Sequence, residues 1–286
     1  MITGTYHLHL PQARSSAAIF ASPHSGRTYS RAFLRQSTLN EQQIRSSEDA
    51  FVDLLFAEAP KLGAPLLHAT TPRAFVDLNR SIEELDPALI QGVTTRHLNP
   101  RISSGLGVIP RVVANGRAIY RGKISLAEAE KRLTQHWHPY HDKLRELIDQ
   151  ARANFGHAVL IDLHSMPHEA LEATARNINK RPEIVLGDRF GSAASDEIVC
   201  QIEAAFRDAG LRVVRNSPFA GAYITQRYGR PSRNQHAVQI EIDRALYMDE
   251  ATVTPRADFN QFRDLMTGVI TKIIQASRPQ LSLAAE

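Results

Sequence analysis

The chain has a single cysteine, Cys200, among 286 residues. One thiol excludes an internal disulfide framework and any cysteine-rich zinc module, and a reducing cytoplasm is the setting expected from it. No run of about 18 apolar residues occurs, so no membrane span is expected. The opening stretch, MITGTYHLHLPQARSSAAIF, lacks the charged-then-apolar layout of a secretory leader. Basic runs are missing too. The net charge is +4, but no five basic residues are consecutive and aromatics are only 7%, which argues against a nucleic-acid partner. Neither GLGVIP nor GAYITQRYG fits a dinucleotide or nucleoside-phosphate loop. No serine stands in a G-x-S-x-G elbow. No internal repeat and no low-complexity segment is present.

What is there reads as one domain spanning 1–286, with enough apolar sequence for a large core. Apolar runs bounded by loop signals predict strands at 17–22, 64–70, 157–163, 211–216 and 236–243. Helical patterns lie between or after them, at 40–63, 125–156, 192–210 and 257–277. The second opens on a Ser125–Glu128 capping box and should kink or split at Pro139. Alternating strands and helices imply a three-layer α/β fold, with a mostly parallel central sheet and helices on both faces. Stretch 81–122 is expected to run over the sheet edge. In such sheets ligands bind outside the carboxyl ends of the strands.

Polar residues collect at those ends. SPHSGR places His24, Ser25 and Arg27 after the first expected strand. FVDLNR places Asp77, Asn79 and Arg80 at another, and IDLHSMP places Asp162 and His164 at a third. In VQIEID, period-2 alternation puts Val238, Ile240 and Ile242 on one face and Gln239, Glu241 and Asp243 on the other. A carboxylate inside a hydrophobic strand is costly unless it has work to do. Singly, each residue also reads as a turn cap or a loop hydrogen-bonder. Together they read as a metal site or an acid/base site in the crevice. Two separated histidines and a carboxylate suit one Zn2+ ion with an open position. Serine–histidine–aspartate chemistry through Ser25 or Ser165 is the rival.

SPHSGRTY, EDAFVDLLF, FVDLNR, GLGVIPR, IDLHSMP, PFAGAYITQRYG and VQIEIDRALYMDE together resemble the N-formylglutamate amidohydrolase family, from about residue 18 to 250. The resemblance implies a phosphorylase/hydrolase-like fold related to zinc carboxypeptidases and aspartoacylases. It implies hydrolysis of an N-acyl amide on a small acidic amino acid, most simply N-formyl-L-glutamate to formate and glutamate, a step of histidine degradation. It further implies His24 and His164 as metal ligands, Glu241 as the catalytic acid/base, and Asn79 with Arg80 as the grip on a substrate carboxylate. The position that carries a glutamate ligand in carboxypeptidases is Arg27 here. EDAFVDLLF resembles an Asp-containing segment of the family, and that resemblance implies Asp49 as the third ligand, with Glu48 and Asp77 as the other choices. Arg27 is expected to steady the oxyanion. Arg111 and Arg227 are candidates for a second carboxylate, and Tyr223 for a hydrogen bond. A peptidase, a deacylase of another N-acyl amino acid, and a non-catalytic binding protein on the same fold are the alternatives.

Overall fold

A computed structural model describes residues 4–94, 99–172 and 181–279. Seven strands form one sheet: β1 (Tyr6–His9), β2 (Ala18–Ser22), β3 (Leu66–Ala69), β4 (Ala158–Met166), β5 (Ile184–Gly187), β6 (Val213–Arg215) and β7 (Gln235–Asp243). Their order across the sheet is β1-β3-β2-β4-β7-β5-β6. The inner four are parallel, β1 runs antiparallel to β3, and the β5–β6 pair runs antiparallel to β7. The sheet is thus mostly parallel, as expected, with reversed margins. Strands β1 and β5, absent from the sequence expectation, are the innovations of those margins. Each is four residues long, and YHLH carries polar residues at alternate positions, so neither produces a long apolar run.

The alternation of side chains divides the core. Ile19, Ala21, Leu67, Leu160 and Ala237 face one layer, with Leu144, Leu147, Ile148 and Ala151 of helix His138–Phe155. Phe20, Val159, Ile161, Val238 and Ile240 face the other, with Met266, Ile270 and Ile273 of helix Phe259–Ala276 and Val199 and Ile202 of helix Asp196–Arg207. The helix expected over 125–156 is continuous but contains a wider π-helical stretch, Leu133–Trp137, just ahead of Pro139. Pro139 has no N–H to donate, and the Gln135 carbonyl instead accepts from the Thr5 hydroxyl at 2.7 Å. Gly156 closes the helix in the left-handed conformation, φ 76°.

The single helix expected over 40–63 does not form. Helical turns at Glu41–Ile44 and Val52–Leu55 flank a break, where Glu48 is extended and Phe51 is left-handed at φ 66°. Within the break the Asp49 N–H donates to the His24 carbonyl at 3.1 Å. Helical periodicity there is overridden by the need to turn the Asp49 side chain inward. Stretch 81–122, in its described part, packs Leu89, Ile90, Val108 and Ile109 against the sheet and walls a cleft.

Candidate active site

The carboxyl ends of β2, β4 and β7 open onto a cavity of about 680 Å3. Gly26 lets the loop after β2 pass close to its neighbour: a Cβ there would lie 2.1 Å from the Thr71 carbonyl oxygen. That close passage sets His24 at the cavity floor. His164 comes from β4 and Asp49 from the helix break, and all three are buried. Their donor atoms form a small triangle. His24 Nδ1 lies 3.1 Å from His164 Nδ1, His164 Nδ1 lies 3.1 Å from Asp49 Oδ2, and His24 Nδ1 lies 3.4 Å from Asp49 Oδ2.

Each corner is held from behind. His24 Nε2 donates to Asp77 Oδ1 at 2.7 Å, which turns the Nδ1 lone pair toward the centre. Asp77 in turn accepts from Arg73 at 2.8 Å and from the Asn79 N–H at 2.8 Å. His164 Nε2 lies 3.0 Å from Asp162 Oδ1, with the Asn79 side-chain nitrogen 3.2 Å away. Asn79 is itself fixed, its carbonyl oxygen accepting from the Ile224 N–H at 2.7 Å. The outward oxygen of Asp49 accepts from Arg244 at 3.1 Å, and the same guanidinium donates to Ser165 Oγ at 3.1 Å.

The electrostatics follow from this packing. Burial opposes ionisation of Asp49, but hydrogen bonds from His164 and His24 outweigh it and hold the carboxyl well below its ordinary value. Asp77 behaves alike, against burial, because of His24, Arg73 and Arg80. Burial disfavours a charged His164, yet Asp162 and Asp49 draw its pKa well up. The centre therefore attracts positive charge. Glu241 stands on β7 directly beside His164 in register and lines the same cavity. Burial pushes it up to about 7, with Asp49 adding to the rise and His164, Arg73 and Arg244 opposing it. Gln239 donates to its Oε1 at 2.9 Å.

The expected residues do not all meet. His24, Asp49, His164, Asn79, Arg80 and Glu241 line the cavity together. Asp77 backs His24. Glu48 faces away and is bound by Arg45 at 3.0 Å and by Tyr29. Arg27 is not brought to the cavity. Its guanidinium forms a two-pronged pair with Asp53, 2.9 Å on each arm, because the chain leaves His24 toward the opposite layer. Arg111 is drawn off by Asp86 at 2.9 Å and by the Ser103 carbonyl. Tyr223 and Arg227 line a different hollow, beside Glu83, Gln226 and Arg230. Tyr223 also packs against Trp137 and His141. Ser25 bonds Ser22, and Ser165 is engaged by Arg244 and Asp49, so neither hydroxyl meets a histidine nitrogen among the described residues.

Arg73, Arg101 and Arg244 escaped the sequence reading of the site, and Gln239 was read only as sharing the strand face of Glu241. All but Arg101 have a faint local signal. Arg73 sits four residues before Asp77, Gln239 two before Glu241 on the same strand face, and Arg244 just past the end of β7.

The donor set fits a metal ion. A tetrahedral ion with bonds of about 2.0–2.1 Å spaces its ligand atoms about 3.3 Å apart, and the triangle has edges of 3.1, 3.1 and 3.4 Å. Among the described residues no helix is long and apolar enough to cross a membrane.

The chain is similar to known proteins over most of its length. An N-formylglutamate deformylase of Pseudomonas aeruginosa is 32% identical over 244 residues, covering 84% of this chain and 85% of that protein. One from Pseudomonas putida is 30% identical over 262 residues, covering 90% and 91%. The crystal structure of N-formylglutamate amidohydrolase from Ralstonia eutropha superposes with a TM-score of 0.89 at 32% identity, over 96% of this chain and 99% of that one. The family model described as N-formylglutamate amidohydrolase matches residues 16–248, and with the buried His24–Asp49–His164 centre inside that span, the chain belongs to the N-formylglutamate amidohydrolase family.

Proposed function

We propose that this chain is a zinc-dependent amidohydrolase that converts N-formyl-L-glutamate and water to formate and L-glutamate. The observation that carries the reading is the triangle of His24, His164 and Asp49 donor atoms, with the Glu241 carboxylate beside it at the floor of one cavity. His24, His164 and Asp49 would hold the ion, with Asp77, Asp162 and Arg244 standing behind them. When bound, zinc supplies Lewis acidity.

The remaining chemistry belongs to the side chains. Glu241 accepts a proton from the attacking water as the carbon–oxygen bond forms. It returns that proton to the amine nitrogen as the formyl carbon–nitrogen bond breaks. A pKa near neutrality suits both directions of transfer, and Gln239 keeps the carboxylate aimed. The substrate brings two carboxylates. Among the described residues, four guanidiniums line the cavity: Arg73, Arg80, Arg101 and Arg244. Arg73 and Arg244 are committed to Asp77 and Asp49. That leaves Arg80 and Arg101 for the substrate. Arg80 is anchored through the Leu106 and Asn79 carbonyls, at 3.1 and 2.9 Å, which pre-orients it.

The test is formate release from N-formyl-L-glutamate by zinc-loaded protein. Release should stop on chelation and return with added zinc. Equal turnover of N-formyl-L-glutamine would remove the acidic-substrate reading, and full turnover in chelated protein would remove the metal.

A further inference from the structure

A second group of histidines lies outside the cavity. His7 and His9 are alternate residues of the edge strand β1, and His68 pairs with His7 across the β1–β3 ladder. Alternation puts all three on one sheet face, the face opposite to that of His164 and Glu241, because Tyr6, Leu8, Leu67 and Ala69 fill the core on the other side. The three rings stand nearly parallel. Centroids of His7 and His68 are 5.1 Å apart at 5°, and those of His9 and His68 are 5.4 Å apart at 5°. His9 Nε2 and His68 Nε2 are 3.3 Å from one another. One nitrogen from each of the three rings lies within 4.8 Å of the others.

We propose that His7, His9 and His68 form a second, separate metal site that takes a divalent transition ion such as Zn2+ and ties the edge strand β1 to β3.

The chemistry fits on three counts. Imidazole nitrogens are ligands of first choice for zinc and its neighbours, and three of them leave an open position for water. The Nε2–Nε2 separation matches the edge of a tetrahedral coordination shell, about 3.3 Å. Asp53 Oδ2 lies 3.9 Å from His68 Nδ1, too far for a hydrogen bond but close enough to favour the proton on that nitrogen. That tautomer leaves the Nε2 lone pair facing His9. Asp53 is itself locked by the two-pronged pair with Arg27, so the arginine expected at the first metal centre supports this one instead. In parallel rings the lone pairs run side by side, so convergence on one ion requires rotation about χ2. That torsion is soft, and His9 is exposed while His7 and His68 are only partly buried.

The experiment is equilibrium dialysis of the full chain against Zn2+ alone, with metal counted by elemental analysis. Wild type should bind about two equivalents, and His9→Ala and His68→Ala about one each. His9 is exposed, so its removal leaves the fold intact, and circular dichroism checks that. If the central group binds no zinc, wild type should hold about one equivalent and His9→Ala none. The difference of one equivalent thus reports on the edge site whatever happens at the centre. Equal zinc content in wild type, His9→Ala and His68→Ala overturns the proposal.

Discussion

Two groups of histidines share one sheet, and they are built in opposite ways. The central group takes its donors from positions 24, 49 and 164, on segments that meet only after the chain has folded. All three residues are buried, and fixed polar groups stand behind them: Asp77 behind His24, Asp162 behind His164, Arg244 behind Asp49. The edge group takes two of its three rings from alternate positions of one strand and the third from the neighbouring strand. Its residues run from partly buried to exposed, and the backing carboxylate stands 3.9 Å from His68. The difference teaches what burial demands. Imidazoles and carboxylates removed from water must each be given a partner, so the central site comes with a shell that leaves little freedom. A half-exposed site is cheaper to build and less exact, because water satisfies whatever the protein does not.

The comparison can be broken or sharpened by substitution. The largest effect is expected at the central ligands. His24→Ala and His164→Ala should each lose the central zinc and, with it, formate release, as read by elemental analysis and a formate assay. Retention of that zinc in both would mean that the triangle is only a hydrogen-bonded cluster. Next, Asp49→Ala should weaken zinc binding far more than Glu48→Ala. Asp49 Oδ2 is a corner of the triangle, whereas Glu48 is tied to Arg45 and Tyr29. The reverse ranking in a zinc titration would transfer the ligand to Glu48.

Glu241→Gln separates chemistry from metal binding. It keeps the shape but cannot take a proton, so kcat should fall by about 100- to 10,000-fold with zinc content unchanged. Near-normal turnover would assign the proton to another group. Arg80→Met should then cost about 2–5 kcal/mol in kcat/KM for N-formyl-L-glutamate. The loss should shrink for an analogue with one carboxylate made an amide, and equal losses for both substrates would make Arg80 structural. The smallest effect is expected at Arg27. Since its guanidinium points to Asp53 rather than into the cavity, Arg27→Ala should change kcat by no more than about threefold while lowering stability, because buried Asp53 loses its partner. A drop as large as that of Glu241→Gln would restore the oxyanion role assigned to it from the sequence.

Much of this was readable in the chain. Apolar runs ending in polar residues located β2 and β4, and apolar–polar alternation located β7, because a strand buried on both faces needs an apolar stretch and a ligand crevice needs its polar groups at or just past the strand end. His24, His164, Asn79, Arg80 and Glu241 were found in that way and by their motifs. Asp49 came from the resemblance alone, since its local pattern reads as helix. The helical spacing of Ile44, Phe51, Leu54 and Leu55 gave no sign of the break between them. The break follows from a contact with His24, 25 positions away in sequence, which no local pattern records.

The arginines mark the same divide. A guanidinium on a long side chain can reach in several directions, and only the position of its carboxylate decides which one it takes. Arg27, Arg111 and Arg227 stand near family-like motifs, yet Asp53 and Asp86 claim the first two, and the third opens onto another hollow. Arg73 stands outside those motifs and Arg244 sits in one without a role read from it, yet they hold Asp77 and Asp49 in place. The sequence by itself determined the α/β layering, the strands that carry the site and the residue types at their ends, because periodicity and burial are local properties of the chain. Only the tertiary structure decided which carboxylate completes the triangle, which guanidiniums line the cavity, and that His7, His9 and His68 share one face of the sheet edge, because those outcomes depend on distances between segments far apart in sequence.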